Sequence, residues 1–219
     1  MIELLVLFAL AAIVLYRLKT VIGTRTGHEP TRDASVSSTV DARSAPANPM
    51  PVNDGPPEFE DVSDDTLDDD SRTALTEIRG IEPDFIVNDF IDGARGAYEM
   101  ILMAYEEGDR STLKSLLAPD VYEAFEAGIS GREAEGLRVE ARFIGVREAT
   151  LEEVGFDTAS KTADVTVKFV GELITAVRDA ENRVVEGDPN DIRRQSDTWT
   201  FSRVMGSSNP NWLLTGTGA

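Results

Sequence analysis

The 219-residue chain has no cysteine and a single histidine. The first absence excludes disulfides, thiol nucleophiles and cysteine-based zinc sites. The second leaves Ser–His–Asp triads and multi-histidine metal centres without their parts. His28 lies in a polar, Gly- and Pro-flanked stretch and reads as solvated surface. Basic residues are also scarce, with 21 Lys and Arg against 40 Asp and Glu and a net charge of −19. No long basic run appears, which argues against nucleic acid as a partner of the folded part. No catalytic, cofactor-binding or metal-binding set emerges.

One long apolar run is present, at the start: MIELLVLFALAAIVLYRLK. From Ile2 to Tyr16 every residue but Glu3 is apolar. A helix over residues 1–18 measures about 27 Å at ~1.5 Å per residue. That just spans a hydrocarbon core of about 30 Å, with Glu3 and Arg17 reaching the two interfaces. A buried core helix of this length would carry a polar face, and this one has none. Ala9-Leu10-Ala11 is the one feature of a cleaved export signal; the start lacks Lys and Arg, and cleavage there leaves too short a run. Arg17, Lys19 and Arg25 follow the run and hold that flank in the cytoplasm by the positive-inside rule. The expectation is a single-pass anchor over 1–23, contacting the lipid bilayer through Ile2, Leu4, Leu5, Val6, Leu7, Phe8, Leu10, Ile13, Val14, Leu15 and Tyr16. The short N-terminus crosses and the body stays in the cytoplasm.

Residues 24–75 contain six prolines and few large apolar groups, too little to offset the entropy of ordering. They read as a disordered acidic linker. Its densest part, EFEDVSDDTLDDD, holds eight carboxylates between Glu58 and Asp70. No register supplies the glycine that a calcium-binding EF-hand loop needs at its sixth position. The run reads as a solvated spacer, with docking onto a basic partner as the alternative.

Residues 76–219 read as one α+β domain. Phe85, Ile86, Phe90, Ala94, Ala97, Tyr98, Ile101, Ala104 and Tyr105 recur at spacings of three and four, which makes a long helix over about 85–105. Asp84 is its expected cap and Gly108 its stop, and Asp109 caps the next helix. Gly93 and Gly96 suggest close approach of a neighbouring backbone. Two short helices broken at Pro119 and a third over about 129–137 follow. Leu113, Leu116, Leu117, Val121, Tyr122 and Phe125 face inward.

The period then changes to two. Val139, Ala141 and Phe143 alternate with polar neighbours, a turn falls at 156–159, and Val165, Val167 and Phe169 share a face. Trp199, Phe201 and Arg203 share another, and WLLTGT ends the chain. Helices first and then short-turned strands imply a long helix packed on a curved antiparallel meander, with an apolar pocket between the layers. Phe90, Tyr98, Phe143, Phe169, Trp199, Phe201 and Trp212 are its candidate lining, against a plain-core reading of the same aromatics. Met100 and Met103 fall off the helix stripe and are candidates for contact with lipid or a partner. Asp164, Glu172 and Asp197 are expected as outward, exposed carboxylates. A small-molecule enzyme or binding protein would instead need convergent polar groups inside the cone, such as a buried Asp/Arg or Asp/Tyr pair, with Asp164 or Asp197 turned inward and its titration shifted.

FIDGARGAYEMI, EEGDRSTLKSLLAPDVYEAF, DTWTFSR and NPNWLL, in that order from about Pro83 to Gly216, resemble the Tim44-like family. An apolar anchor followed by an acidic linker is similar to its bacterial branch. The resemblance implies an α+β domain with a hydrophobic pocket, peripheral contact with anionic membranes, and an adaptor role without catalysis. It places the chain at a bacterial inner membrane, working with unidentified protein partners. The region through which the mitochondrial member recruits a chaperone has no counterpart here, so chaperone recruitment is not carried over. A ribosome-to-membrane tether is a further alternative, disfavoured by the acidic body.

Overall fold

The computed structural model describes residues 67–218. The anchor expected over 1–23 and residues 24–66 of the linker lie outside them. Four helices come first: α1 (Asp69–Ile81), α2 (Val87–Glu107), α3 (Arg110–Leu116) and α4 (Pro119–Ala134). Five strands follow: β1 (Arg138–Asp157), β2 (Thr162–Arg178), β3 (Val184–Gly187), β4 (Arg193–Val204) and β5 (Leu213–Gly218). They form one antiparallel sheet in the order β1-β2-β4-β5. β3 pairs with the end of β2 that β4 leaves uncovered, at Ala176–Arg178. The helices bury their apolar stripes against this sheet, the α+β layering that the periodicities imply.

Curvature comes from β1. Its pairing with β2 slips at Phe143/Gly145, Val146/Glu148 and Leu151/Glu153. Each bulge bends the strand and adds twist, so β1 wraps around the helical layer instead of lying flat. On β2, Val165, Val167 and Phe169 point into the core and are fully buried. Trp199 and Phe201 do the same from β4.

α1 starts before the expected boundary at 76. The Asp68 carboxylate accepts the Ser71 N–H at 2.7 Å and caps the helix, and Asp69 and Asp70 sit in its first turn, where the helix dipole favours them. The acidic composition that reads as spacer is, at its end, a helix start. Ser71, Ala74, Leu75 and Ile78 form the buried stripe. The Ser71 hydroxyl accepts the Val154 N–H at 3.0 Å, which seats α1 on the outer edge of β1.

Asp84 does not cap α2. The N-cap is Ile86, without a side-chain bond, because residues 83–84 turn out of α1. Gly108 ends α2 at φ 73°, and the Asp109 carboxylate caps α3 through Ser111 and Thr112 N–H. Pro119 opens α4, which runs on to Ala134 with no separate helix at 129–137. Gly128 in its middle admits Tyr105, since a Cβ there would stand 2.5 Å from the Tyr105 hydroxyl. Gly93 and Gly96 serve no such purpose, as nothing lies within 4 Å of a Cβ built on either. The β1–β2 turn falls at residues 158–161 rather than 156–159.

Candidate partner groove

The seven aromatics named as candidate lining divide into two groups. Tyr98 is fully buried; its ring stacks on Phe169 at 4.6 Å and meets Trp199 at 4.7 Å. Phe143 packs edge-on against the same Tyr98 ring at 6.2 Å. These four pack against one another in the interior between α2 and the sheet, and none of them lines the groove formed by the others.

The other three meet at an open groove of about 790 Å³ between the α1–α2 turn, the first half of α2 and the β4–β5 loop. Phe90 stands edge-on to Trp212 at 4.8 Å and to Phe201 at 6.1 Å. Phe85 adds a fourth ring, 6.0 Å from Trp212. Its place in the groove follows from α2 beginning at Val87, which leaves Phe85 and Ile86 on the turn. Ile86 is 53% exposed at the rim. Gly93 and Ala94 keep the helical wall low.

The charge on the lining is of one sign: Glu82, Asp84 and Asp89, with no Lys or Arg. Arg203 lies just behind the aromatic wall. Its guanidinium stacks on the Trp212 ring at 5.1 Å and pairs with the Glu82 carboxylate. Glu82 also accepts the Gly206 N–H at 2.8 Å. Burial alone would raise the Glu82 pKa, but the bonds from Gly206 and Arg203 outweigh it and hold the carboxyl below its usual range. Glu82 thus ties the α1–α2 turn to the β4–β5 loop, and Arg203 is only 10% exposed.

The carboxylates expected to face outward do not all do so. Asp164 does, bonded to Ser202. Glu172 points outward but is only 4% exposed, because Arg147 and Arg194 cover it at 2.6 and 2.7 Å. Asp197 turns inward. It accepts the Tyr98 hydroxyl at 2.6 Å and the Gln195 amide at 2.8 Å, and burial raises its pKa. That is the inward carboxylate an enzyme reading asks for, yet it does not line the groove, and Phe169 and Trp199 occupy the space beside Tyr98. Met100 is 49% exposed, as its place off the stripe implies.

The Tim44-like domain model matches residues 71–219. The chain belongs to the Tim44-like family. Of curated proteins, the mitochondrial import inner membrane translocase subunit TIM44-1 of Arabidopsis thaliana is 26% identical over 135 residues. That match covers 62% of this chain and 28% of the plant protein, so the two share the Tim44-like domain and little else in length. Solved structures with some likeness include the intermembrane space region of the chloroplast protein ARC6, at TM-score 0.40 and 13% identity, covering 58% of this chain and 93% of that one. A conserved protein from Planctomyces limnophilus follows at TM-score 0.35 and 20% identity, covering 57% and 91%. These likenesses are loose. Among the described residues of this Tim44-like chain, no helix is long and apolar enough to cross a membrane, and no cluster of His, Asp or Glu could hold a metal.

Proposed function

We propose that this protein is a membrane-tethered adaptor whose Tim44-like domain holds an apolar, basic-flanked segment of a partner protein in the groove. One observation carries the reading: four aromatic rings form an open apolar floor, and every charged residue on the lining is acidic. An apolar stretch gains about 25 cal/mol per Å² buried on such a floor. Flanking Lys or Arg then meets Asp84 and Asp89, whereas the head group of an anionic lipid would be repelled by them. Family membership and the plant relative's place in an inner membrane translocase support a role among membrane-associated proteins.

The apolar run from Ile2 to Tyr16 is, in this reading, the anchor in a bacterial inner membrane, with the domain on the cytoplasmic side. Protease protection of oriented vesicles tests that arrangement, and a domain shielded on the far side would reverse it. Groove binding is tested with the full chain and a synthetic amphipathic peptide carrying a leucine face and terminal arginines. Saturable binding that Gly93→Leu abolishes supports the adaptor. Binding instead of anionic vesicles through the groove, unaffected by Asp84→Asn and Asp89→Asn, would make the ligand a lipid.

A further inference from the structure

β1 is an edge strand, and no other strand pairs with its outer side among the described residues. At 20 residues it is far longer than most edges, and it holds neither the proline nor the lysine that commonly blunts one. Its open backbone groups can be assigned. The Val154 N–H points away from β2 to reach Ser71 of α1. Val154 stands opposite Val165, and β2 pairs without a gap from Thr162 to Arg178. Along an antiparallel pair, successive residues aim their backbone groups alternately at the partner strand and away from it. The N–H and C=O groups of Val139, Ala141, Phe143, Val146, Ala149 and Leu151 therefore turn outward, as those of Val154 do.

The side chains of these residues face the interior, yet the row is closed at one end only. Leu151 and Val154 are buried where α1 sits, whereas Val139, Ala141, Phe143, Val146 and Ala149 are half-buried. Ile144, the extra residue of the first bulge, is 38% exposed. Open backbone beside a half-exposed apolar row calls for another strand, and the charges of β1 say which one. Glu140 is tied to Arg178 and Arg147 to Glu172. Arg138 and Arg142 then make the strand basic before Gly145, and Glu148, Glu152 and Glu153 make it acidic after. Gly145 itself has nothing within 4 Å of a built Cβ.

We propose that β1 pairs antiparallel with β1 of a second copy of this chain, about a two-fold axis at Gly145. Residues equally distant from Gly145 then stand opposite each other, and every contact occurs twice. Ala141 meets Ala149 and Val139 meets Leu151, so inward side chains meet inward ones and open backbone groups meet open ones. Arg142 meets Glu148, and Arg138 reaches Glu152 and Glu153. The bulges at Ile144 and Arg147 fall at the centre, where Ile144 of each copy comes beside Val146 of the other. Regular rungs remain on both sides. The register is specified. A slip of one residue sets inward side chains against outward ones. A slip of two sets Glu140 against Glu148 or Glu152, and like charges directly opposite are destabilising. No β1 residue lines the groove, so both grooves stay open in the pair, and failure of the pairing leaves the adaptor reading standing.

The absence of cysteine lets cross-linking read the register on the full chain in detergent. Glu140→Cys with Thr150→Cys, both exposed, puts each thiol opposite its mate in the second copy and should give a disulfide-linked dimer on mild oxidation. Within one chain the two lie about 33 Å apart along the strand, too far to close internally. Glu148→Cys with Thr150→Cys, which stand opposite Arg142 and Glu140, should stay unlinked. Sedimentation equilibrium should show a dimer for the natural chain. Arg142→Glu and Glu148→Arg should each weaken it at least several-fold, and the two together should restore it, since the swap rebuilds both pairs. A monomer at every concentration overturns the proposal and leaves the edge to a strand of another protein. A dimer that neither single change weakens, as association through the apolar run from Ile2 to Tyr16 would give, overturns it too. So does a swap that fails to restore the dimer, or equal linking of the two cysteine pairs, which would mean that no register is fixed.

Discussion

Tyr98 of α2 donates its hydroxyl hydrogen bond to Asp197 of β4 at 2.6 Å, across the interior between the helix and the sheet. The contact exists because Gly171 lies beneath the ring: a Cβ there would come within 2.7 Å of the Tyr98 hydroxyl and 2.8 Å of its ring. Gly171→Ala should therefore push Tyr98 off Phe169 and cost about 1–3 kcal/mol, as overpacking does. Tyr98→Phe keeps the stack but leaves Asp197 with only Gln195, at a cost of about 1–3 kcal/mol. Urea unfolding of the three proteins measures both.

Asp197 also sets a pH dependence. Burial raises its pKa in the fold, so the native state binds its proton more tightly than the unfolded chain. The group's contribution is fully present below the unfolded pKa, near 3.8, and is lost as pH rises through the raised folded value. Stability of the natural chain relative to Asp197→Asn should thus increase as pH falls through that window. Denaturation midpoints of the pair at a series of pH values show it.

Glu82 has the opposite sign. Its pKa is held down, so its contribution is present above the unfolded value of about 4.5 and is lost as pH falls through the folded one. Acid should release the β4–β5 loop from the α1–α2 turn and expose Trp212, while Trp199 stays buried. Acrylamide quenching of tryptophan emission should rise on acidification, and Glu82→Gln should show the raised quenching at neutral pH.

Gly93 offers a stabilising change. It sits inside α2 with nothing within 4 Å of a built Cβ, so it carries the helix cost of glycine without a packing return. Gly93→Ala should add about 0.5–1 kcal/mol. Gly93→Leu should keep the fold while filling the groove. Thermal unfolding of both variants checks the pair.

Much of the architecture could be read before any coordinates because local signals carry it. Gly108, Asp109 and Pro119 mark helix ends by backbone chemistry alone, and the inward rows of β2 and β4 follow from alternation. The errors arise where a residue's role depends on something distant. Ser71 belongs to the domain because Val154, on another element, needs an acceptor at a strand edge; in sequence it looks like part of the acidic spacer. Asp197 turns inward because Tyr98 awaits it, and nothing in DTWTFSR announces that. Periodicity marks the candidate aromatics as apolar residues, but it cannot tell a ring that fills space from one that borders it. Phe90, Phe201 and Trp212 border the groove together with Phe85 and Ile86, which the start of α2 at Val87 leaves on the turn.

The central claim, that the groove takes an apolar, basic-flanked segment, is tested most directly by the emission of Trp212. Trp199→Phe leaves it as the sole tryptophan of the chain. Titration of that full-length protein with the amphipathic peptide should give a saturable blue shift. Asp84→Asn with Asp89→Asn should weaken the response several-fold, and Gly93→Leu should abolish it. An emission spectrum unchanged by the peptide, or a response that Gly93→Leu leaves intact, would contradict the account.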